Sequence, residues 1–214
     1  MSRVTCDRTD QKTVTVSGLA FNPGCESILL VRKRPAKDPD GQCGGWGPPM
    51  GRVEATETAL DTLVREIQSE SGYPVDRVVG LLGEYPKGPL HTLLFYLVEV
   101  EDFPQAIKER EEIVMAEFLP LLDVLKMPYA DRKTPHGIYL SAVNRVIDAI
   151  EALVTTDPEE LSDAPEDAGF KRWLRENHER LRAVEGELAR HGLLVHDDSL
   201  EHVWQRRIPT RRAS

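Results

Sequence analysis

Glu66 and Glu70 are the first residues in this chain whose types and spacing could do chemistry together. Four residues apart on a helix, both carboxylates project from one face. Like charges in that register repel by about a few tenths of a kcal/mol, unless a cation sits between them. Oxygen donors of this kind suit a hard divalent ion such as Mg²⁺, which needs only a few carboxylates because it keeps several waters. Arg65 stands beside Glu66, and Glu57 lies just ahead of the helix, where it could pair with Arg65. On its own, Glu-x-x-x-Glu is commonly a solvated helix face, because Glu is a frequent surface helix former. Its surroundings must decide.

Those surroundings are a loop, a helix and a stop. Leu60, Leu63, Val64 and Ile67 recur at helical spacing and predict one apolar stripe. Thr58 with Asp61 three residues on is a capping-box start, and Gly72 is a left-handed stop. Residues 51–73 as a whole resemble the Nudix box, Gly-x5-Glu-x7-Arg-Glu-U-x-Glu-Glu-x-Gly-U, where U is bulky and apolar. Gly51, Glu57, Arg65, Glu66, Ile67, Glu70 and Gly72 fall on the pattern, and Tyr73 fits the last U loosely. Ser69 departs from it, standing where the family has the first Glu of its Glu-Glu pair.

The resemblance implies an α/β fold: an α/β/α sandwich with a mixed sheet between the box helix and a helix at 135–154. It also implies hydrolysis of a diphosphate bond in a nucleoside diphosphate linked to another moiety, with Mg²⁺ or Mn²⁺ as cofactor. ADP-ribose or a nucleotide-sugar stands ahead of nucleoside triphosphates as substrate, on the hint of Pro86 and Pro89 in a stretch similar to one in ADP-ribose enzymes. Divalent ions would neutralise the diphosphate, polarise its bridging oxygen and activate water. The implied metal ligands are Glu66, Glu70, the Met50 carbonyl and Glu112, with Glu111 next in line. By the same analogy Arg65 orients Glu66 and Glu57. The base could be Glu112, Glu66 through metal, or a nearby carboxylate. A serine hydroxyl binds Mg²⁺ far more weakly than a carboxylate, so Ser69 leaves an alternative: a nucleotide-sensing domain with weak or no turnover. An otherwise intact box argues against a pure sensor.

The rest of the chain must position these groups. Residues 12–22 and 27–34 read as strands, the second ending in Arg32 and Arg34 on one side. These arginines, with Arg52 and Trp46, are the substrate-binding candidates; Trp46 reads first as a core residue and second as a base-stacking surface. Residues 35–45 are a loop by composition. Residues 77–85, 90–101 and 113–119 read as further strands, with the apolar run at 93–98 buried. Residues 135–154 predict a helix with Tyr139, Val143, Val146, Ile147, Ile150 and Val154 on one face. His136 near its start reads as a surface residue. Residues 155–167 read as an acidic linker or a short turn of helix.

These boundaries divide the chain into a catalytic domain at 1–154 and a helical extension at 155–214. The helix at 169–191, stopped by Gly192, carries Phe170, Trp173, Leu174, Leu181, Val184 and Leu188 in register. Such a stripe must bury against its own domain, a partner subunit or both, so a homodimer through this helix is an expectation. The chain has 214 residues and a net charge of -9, which lacks the basic footprint of a nucleic-acid binder. Residues 156–214 hold 13 acidic against 10 basic residues, which disfavours DNA contact by the extension. No apolar run approaches the ~18 residues of a membrane span. No secretory h-region opens the chain, and the 3 cysteines form no metal spacing or even-numbered disulfide set. The expectation is a cytoplasmic protein acting on a small nucleotide.

Overall fold

The structure is a computed structural model that describes residues 12–35, 44–130, 136–162, 164–165, 167–194 and 205–206. The chain forms β1 (Thr13–Ala20), β2 (Ser27–Lys33), β3 (Gly45–Gly47), β4 (Met50–Arg52) and α1 (Ala59–Ser71). Then come β5 (Val75–Pro86), β6 (His91–Val100), β7 (Ile113–Pro120) and α2 (Leu121–Lys126). It finishes with α3 (Leu140–Thr155), a 3₁₀ turn at Pro158–Glu160, α4 (Ala168–Arg190) and β8 (Gln205–Arg206). The strands build one sheet in the order β4-β1-β6-β5-β8 and a second in the order β3-β2-β7. β1 runs parallel to β6 and antiparallel to β4, so the larger sheet is mixed.

Alternation along β1 assigns its two faces. Val16 and Ala20 meet Leu63 and Ile67 of α1, whereas Leu19 joins Leu93, Phe95 and Leu97 beneath α3. Val146, Ile147, Ile150 and Leu153 supply α3's buried stripe. Helix, sheet and helix thus form the three layers expected for the chain.

α1 departs from its predicted stripe in an informative way. Leu63 and Ile67 are buried, but Leu60 and Val64 are 48% and 37% exposed. The helix instead buries Thr62, Glu66, Ser69, Glu70 and Ser71. A helix that turns polar residues inward where two sheet edges meet positions chemistry as well as core. Its ends are as predicted: Thr58 and Asp61 form the capping box, and Gly72 sits at φ +79°.

α4 packs its apolar stripe within its own chain, one of the two covers expected for it. Phe170, Trp173, Leu174, Leu181 and Leu188 are buried in the same core as the sheet and α3. The stripe is therefore covered within the chain. Leu181 is fully buried. Leu181→Ala is expected to destabilise the whole protein by about 2–5 kcal/mol, the usual cost of a buried Leu-to-Ala cavity. Urea unfolding followed by both fluorescence and circular dichroism checks this; a separate early transition for α4 would make the extension an independent unit instead.

Among the described residues no helix is long and apolar enough to cross a membrane.

Candidate active site

The buried polar face of α1 meets the edge of β4 and the loop before β7. Glu66, Glu70 and Glu109 converge there, each offering an oxygen within 4.8 Å of the others. Glu70 is the most enclosed, with its side chain 1% exposed. One of its oxygens accepts the Met50 backbone N–H at 2.8 Å and the other pairs with Lys33 Nζ at 2.7 Å. Burial pushes the Glu70 carboxyl up to about 7, against the pull of Lys33 and the Met50 amide. Burial also raises Glu66, opposed by Arg65. Two carboxylates held out of water, with a third beside them, make a site whose ionised form calls for a cation.

The register of β4 turns Met50 toward this cluster. Gly18 N–H bonds to the Pro49 carbonyl and Val53 N–H to the Val14 carbonyl, so the alternate residue Met50 points its N–H and C=O away from β1. Its N–H reaches Glu70, and its carbonyl opens on the same side.

Arg65 is a brace. Its Nε and Nη2 donate to the two Glu57 oxygens at 2.8 Å each, and its Nη1 donates to Glu66 Oε1 at 2.7 Å. Thr62 Oγ1 donates to Glu57 at 2.7 Å. The Arg65 guanidinium, followed by the Thr62 hydroxyl, holds the Glu57 carboxyl down at about 2. The two-pronged bond fixes the loop onto the helix and aims Glu66.

Ser69 occupies the departure from the box pattern, and it recruits a carboxylate from elsewhere. Its Oγ donates to Glu109 Oε1 at 2.8 Å, while its carbonyl accepts the N–H groups of Lys108 and Glu109 at 2.9 and 3.2 Å. The loop is pinned again where Gln105 N–H donates to the Gly72 carbonyl at 2.7 Å. Glu112 and Glu111, the acidic candidates in this loop, are exposed and outside the group. The reason is a turn: the N–H groups of Glu112 and Ile113 both bond to the Glu109 carbonyl, which leaves position 109 facing α1. Ser69→Ala removes the hydroxyl tether and leaves the backbone tether. The expected result is about a tenfold rise in the divalent-ion concentration needed for half-maximal turnover, the equivalent of one charge-assisted hydrogen bond. Metal titration of kcat checks it; an unchanged metal requirement would show that Glu109 needs no help from Ser69.

The remaining predicted residues fall in two places. Arg32 lies 5.8 Å over the Trp46 ring and 3.3 Å from His136 Nδ1. Trp46 is 7% exposed, so it is core with one face covered by that guanidinium. Arg34 is exposed on the Glu109 loop side, its Nε 3.4 Å from the Arg110 carbonyl and its N–H bonded to the Glu112 carbonyl. Arg52 follows Gly51 on β4, exposed. Lys33 and Glu109 were not among the predicted site residues. Strand alternation holds the signal for Lys33: it points opposite to Arg32 and Arg34, toward α1.

Comparison with known proteins bears on this arrangement. Residues 11–139 match the family model described as the NUDIX domain. The asymmetrical bis(5'-nucleosyl)-tetraphosphatase of Rattus norvegicus is 31% identical over 77 residues, covering 31% of this chain and 50% of that protein. The chain thus spans half the length of the curated relative it matches. Among solved structures, a NUDIX hydrolase from Nitrosomonas europaea is similar at 20% identity over 66% of this chain and 88% of that one, with a TM-score of 0.49. A UDP-X diphosphatase is similar at 18% identity over 70% of this chain and 67% of that one, with a TM-score of 0.47. With the family model covering more than half of its length, and the box helix presenting its carboxylates as described, the chain belongs to the NUDIX domain family.

Proposed function

We propose that this chain is a divalent-metal-dependent hydrolase that splits a diphosphate bond in a nucleoside diphosphate linked to another moiety. The observation that carries the reading is the convergence of Glu66, Glu70 and Glu109 against a buried helix face. The donor set fits Mg²⁺ or Mn²⁺: three carboxylates, with no sulfur or imidazole among the described residues of the cluster. Glu66, Glu70, Glu109 and the Met50 carbonyl would hold the ion. When bound, it would neutralise the diphosphate and lower the pKa of water.

The chain's own residues do the rest. Arg65 keeps Glu66 aimed, with its Nε and Nη2 donating to Glu57 and its Nη1 to Glu66. The Met50 amide fixes one Glu70 oxygen. Lys33 balances Glu70 and supplies a cation where phosphate oxygens would arrive. Glu109, the least buried of the three carboxylates, would take a proton from the attacking water through the oxygen that does not hold the ion. Arg32 over Trp46, with His136 beside it, is the proposed contact for the base.

The test is a panel of nucleoside diphosphate sugars, ADP-ribose, dinucleoside polyphosphates and nucleoside triphosphates with Mg²⁺ or Mn²⁺. Metal-dependent release of a nucleoside monophosphate or diphosphate is expected from at least one class. A folded protein that binds these compounds and turns over none would establish a sensor in place of an enzyme.

A further inference from the structure

A cleft of about 780 Å³ opens at the end of the larger sheet where β1 and β6 finish and β5 begins. It stands apart from the carboxylate cluster. Ser17 is the β1 residue paired with Met50, and the cleft starts at Phe21, four residues and roughly 13 Å further on. None of Met50, Glu66, Glu70 and Glu109 lines it. One wall is α4, which contributes Trp173, Glu176, Asn177 and Arg180 at helical spacing. α4 lies outside residues 11–139, the part that matches the family model, so this wall belongs to the extension.

Two aromatic pairs line the cleft. The rings of Phe21 and Trp173 are 6.2 Å apart, and those of Tyr73 and Phe118 meet edge to face at 5.4 Å. Phe21, Tyr73 and Phe118 are only half-buried, which leaves ring surface to the cleft. Around the rings stand carboxylates: Asp76 on β5, Glu101 and Asp102 just after β6, and Glu176 on α4. All four are exposed, and none forms an ion pair among the described residues. A fifth, Glu99, is paired with Arg77 at 2.6 Å. The one cation of the lining, Arg180, is tied to the protein itself. Its Nη1 donates to the Pro23 carbonyl at 2.8 Å and to Asn177 Oδ1 at 3.4 Å. Unpaired like charges gathered beside ring faces favour a positive charge between them. The same field repels a nucleotide, so the cleft is no extension of the substrate site.

We infer that this cleft is a binding site for a small organic polycation, a linear aliphatic polyamine with its ammonium groups on the carboxylates and its alkyl stem along the rings. The volume argues for a small molecule, since clefts of about 300–1,000 Å³ enclose one. The distribution of charge argues for more than one ammonium. Glu176 on the α4 wall and Asp76, Glu101 and Asp102 on the sheet side are served together only by a ligand charged at both ends. The aromatic surface argues against a bare metal ion, which would hold its water shell and gain nothing from the rings. An alkyl stem gains from them by burial, as the stems of long charged side chains do. The inference draws nothing from the hydrolase reading and stands or falls without it.

The experiment is calorimetric titration of spermidine into the full chain, with Mg²⁺ in the buffer to compete at the carboxylate cluster. Saturable binding at a single site is expected. Asp76→Asn combined with Glu176→Gln removes one carboxylate from each side of the cleft and should weaken binding about tenfold, the loss of two exposed ion pairs. Glu179→Gln combined with Glu187→Gln makes the same change in net charge on exposed positions of α4 outside the cleft, and should leave the affinity within about twofold. All four positions are exposed, so both proteins are expected to fold as the wild type does, which circular dichroism checks. 1,8-Octanediol, uncharged and of similar length, should not bind. Equal weakening in the two double variants would mean general attraction to an acidic protein and overturn the inference. Binding of the diol as tight as that of spermidine would overturn it too, by making the cleft merely apolar. A tetra-arginine peptide that binds more tightly than spermidine, with the same dependence on Asp76 and Glu176, would replace the small molecule by a polypeptide partner. Absence of spermidine binding to the wild type, in both calorimetry and equilibrium dialysis, would end the proposal and leave the hydrolase reading intact.

Discussion

Glu70→Gln is expected to lower kcat/KM by about a thousandfold or more and, at the same time, to make the metal-free protein more stable. The first effect follows from position. Glu70 is the innermost carboxylate of the cluster, and losing a ligand that holds a divalent ion forfeits several kcal/mol of transition-state charge stabilisation. The second follows from burial. The folded-state pKa of Glu70 is raised from 4.5 to about 7. Below about pH 4.5 the carboxyl is protonated in both folded and unfolded chains and the shift has no effect. As pH rises toward 7 the unfolded chain ionises freely while the folded one resists, so the metal-free fold loses stability across that window and stays lower above it. The size is on the order of 2 kcal/mol, less than the full shift implies because Gln also gives up the Lys33 pair. Urea unfolding in EDTA at about pH 5 and about pH 8 measures it: the wild type should weaken with pH more than the variant does. Mg²⁺ should stabilise the wild type and leave the variant unmoved. Full activity in Glu70→Gln would remove the carboxylate cluster from the mechanism.

The same residue shows what could be read from sequence. Glu66, Glu70, Arg65 and Glu57 stand within one local stretch, so helical period and capping signals were enough to bring them together. Each strand and helix with a strong apolar pattern is present, with ends moved by a few residues. α3 begins at Leu140 where 135 was expected, and residues 131–135 lie outside the described part. β3 and β4, three residues each, carry too little pattern to be seen, although Met50 depends on β4 for its orientation. Glu109 was hidden for a different reason. Four charged residues, Glu109 to Glu112, offer no periodicity, and which one turns inward is decided by two backbone bonds to the Glu109 carbonyl and by a serine 40 residues away. Lys33 was passed over for its neighbours because sequence shows alternation without showing which face is which. The stripe of α4 was legible as a stripe; its partner was not, since an apolar face does not name what covers it.

Gly51→Ala should be nearly as damaging as removing a carboxylate, although it adds only a methyl group. Gly51 does not have a positive φ, so backbone conformation is not what requires glycine there. The requirement is approach: a Cβ at this position would overlap the Glu66 carboxylate. Neither side can yield. Gly51 is paired in register with Val16, between the flanking bonds of Pro49 to Gly18 and Val14 to Val53. Glu66 is held by Arg65, which is itself clamped on Glu57. Gly18 provides the control. A Cβ there would lie 2.5 Å from Ile67 Cδ1, the far end of a flexible side chain, beside no ionised group. Both substitutions overpack, and each should cost about 1–3 kcal/mol of stability. Only Gly51→Ala displaces a candidate metal ligand, so it alone should lower kcat/KM by about a hundredfold or more, in the range seen when a catalytic group is misplaced by about 1 Å. The loss should come with weakened Mn²⁺ binding, measurable by paramagnetic relaxation of water without any substrate. Equal loss of activity in the two variants would mean that overpacking alone is responsible, and that the contact between Gly51 and Glu66 has no special place in the site.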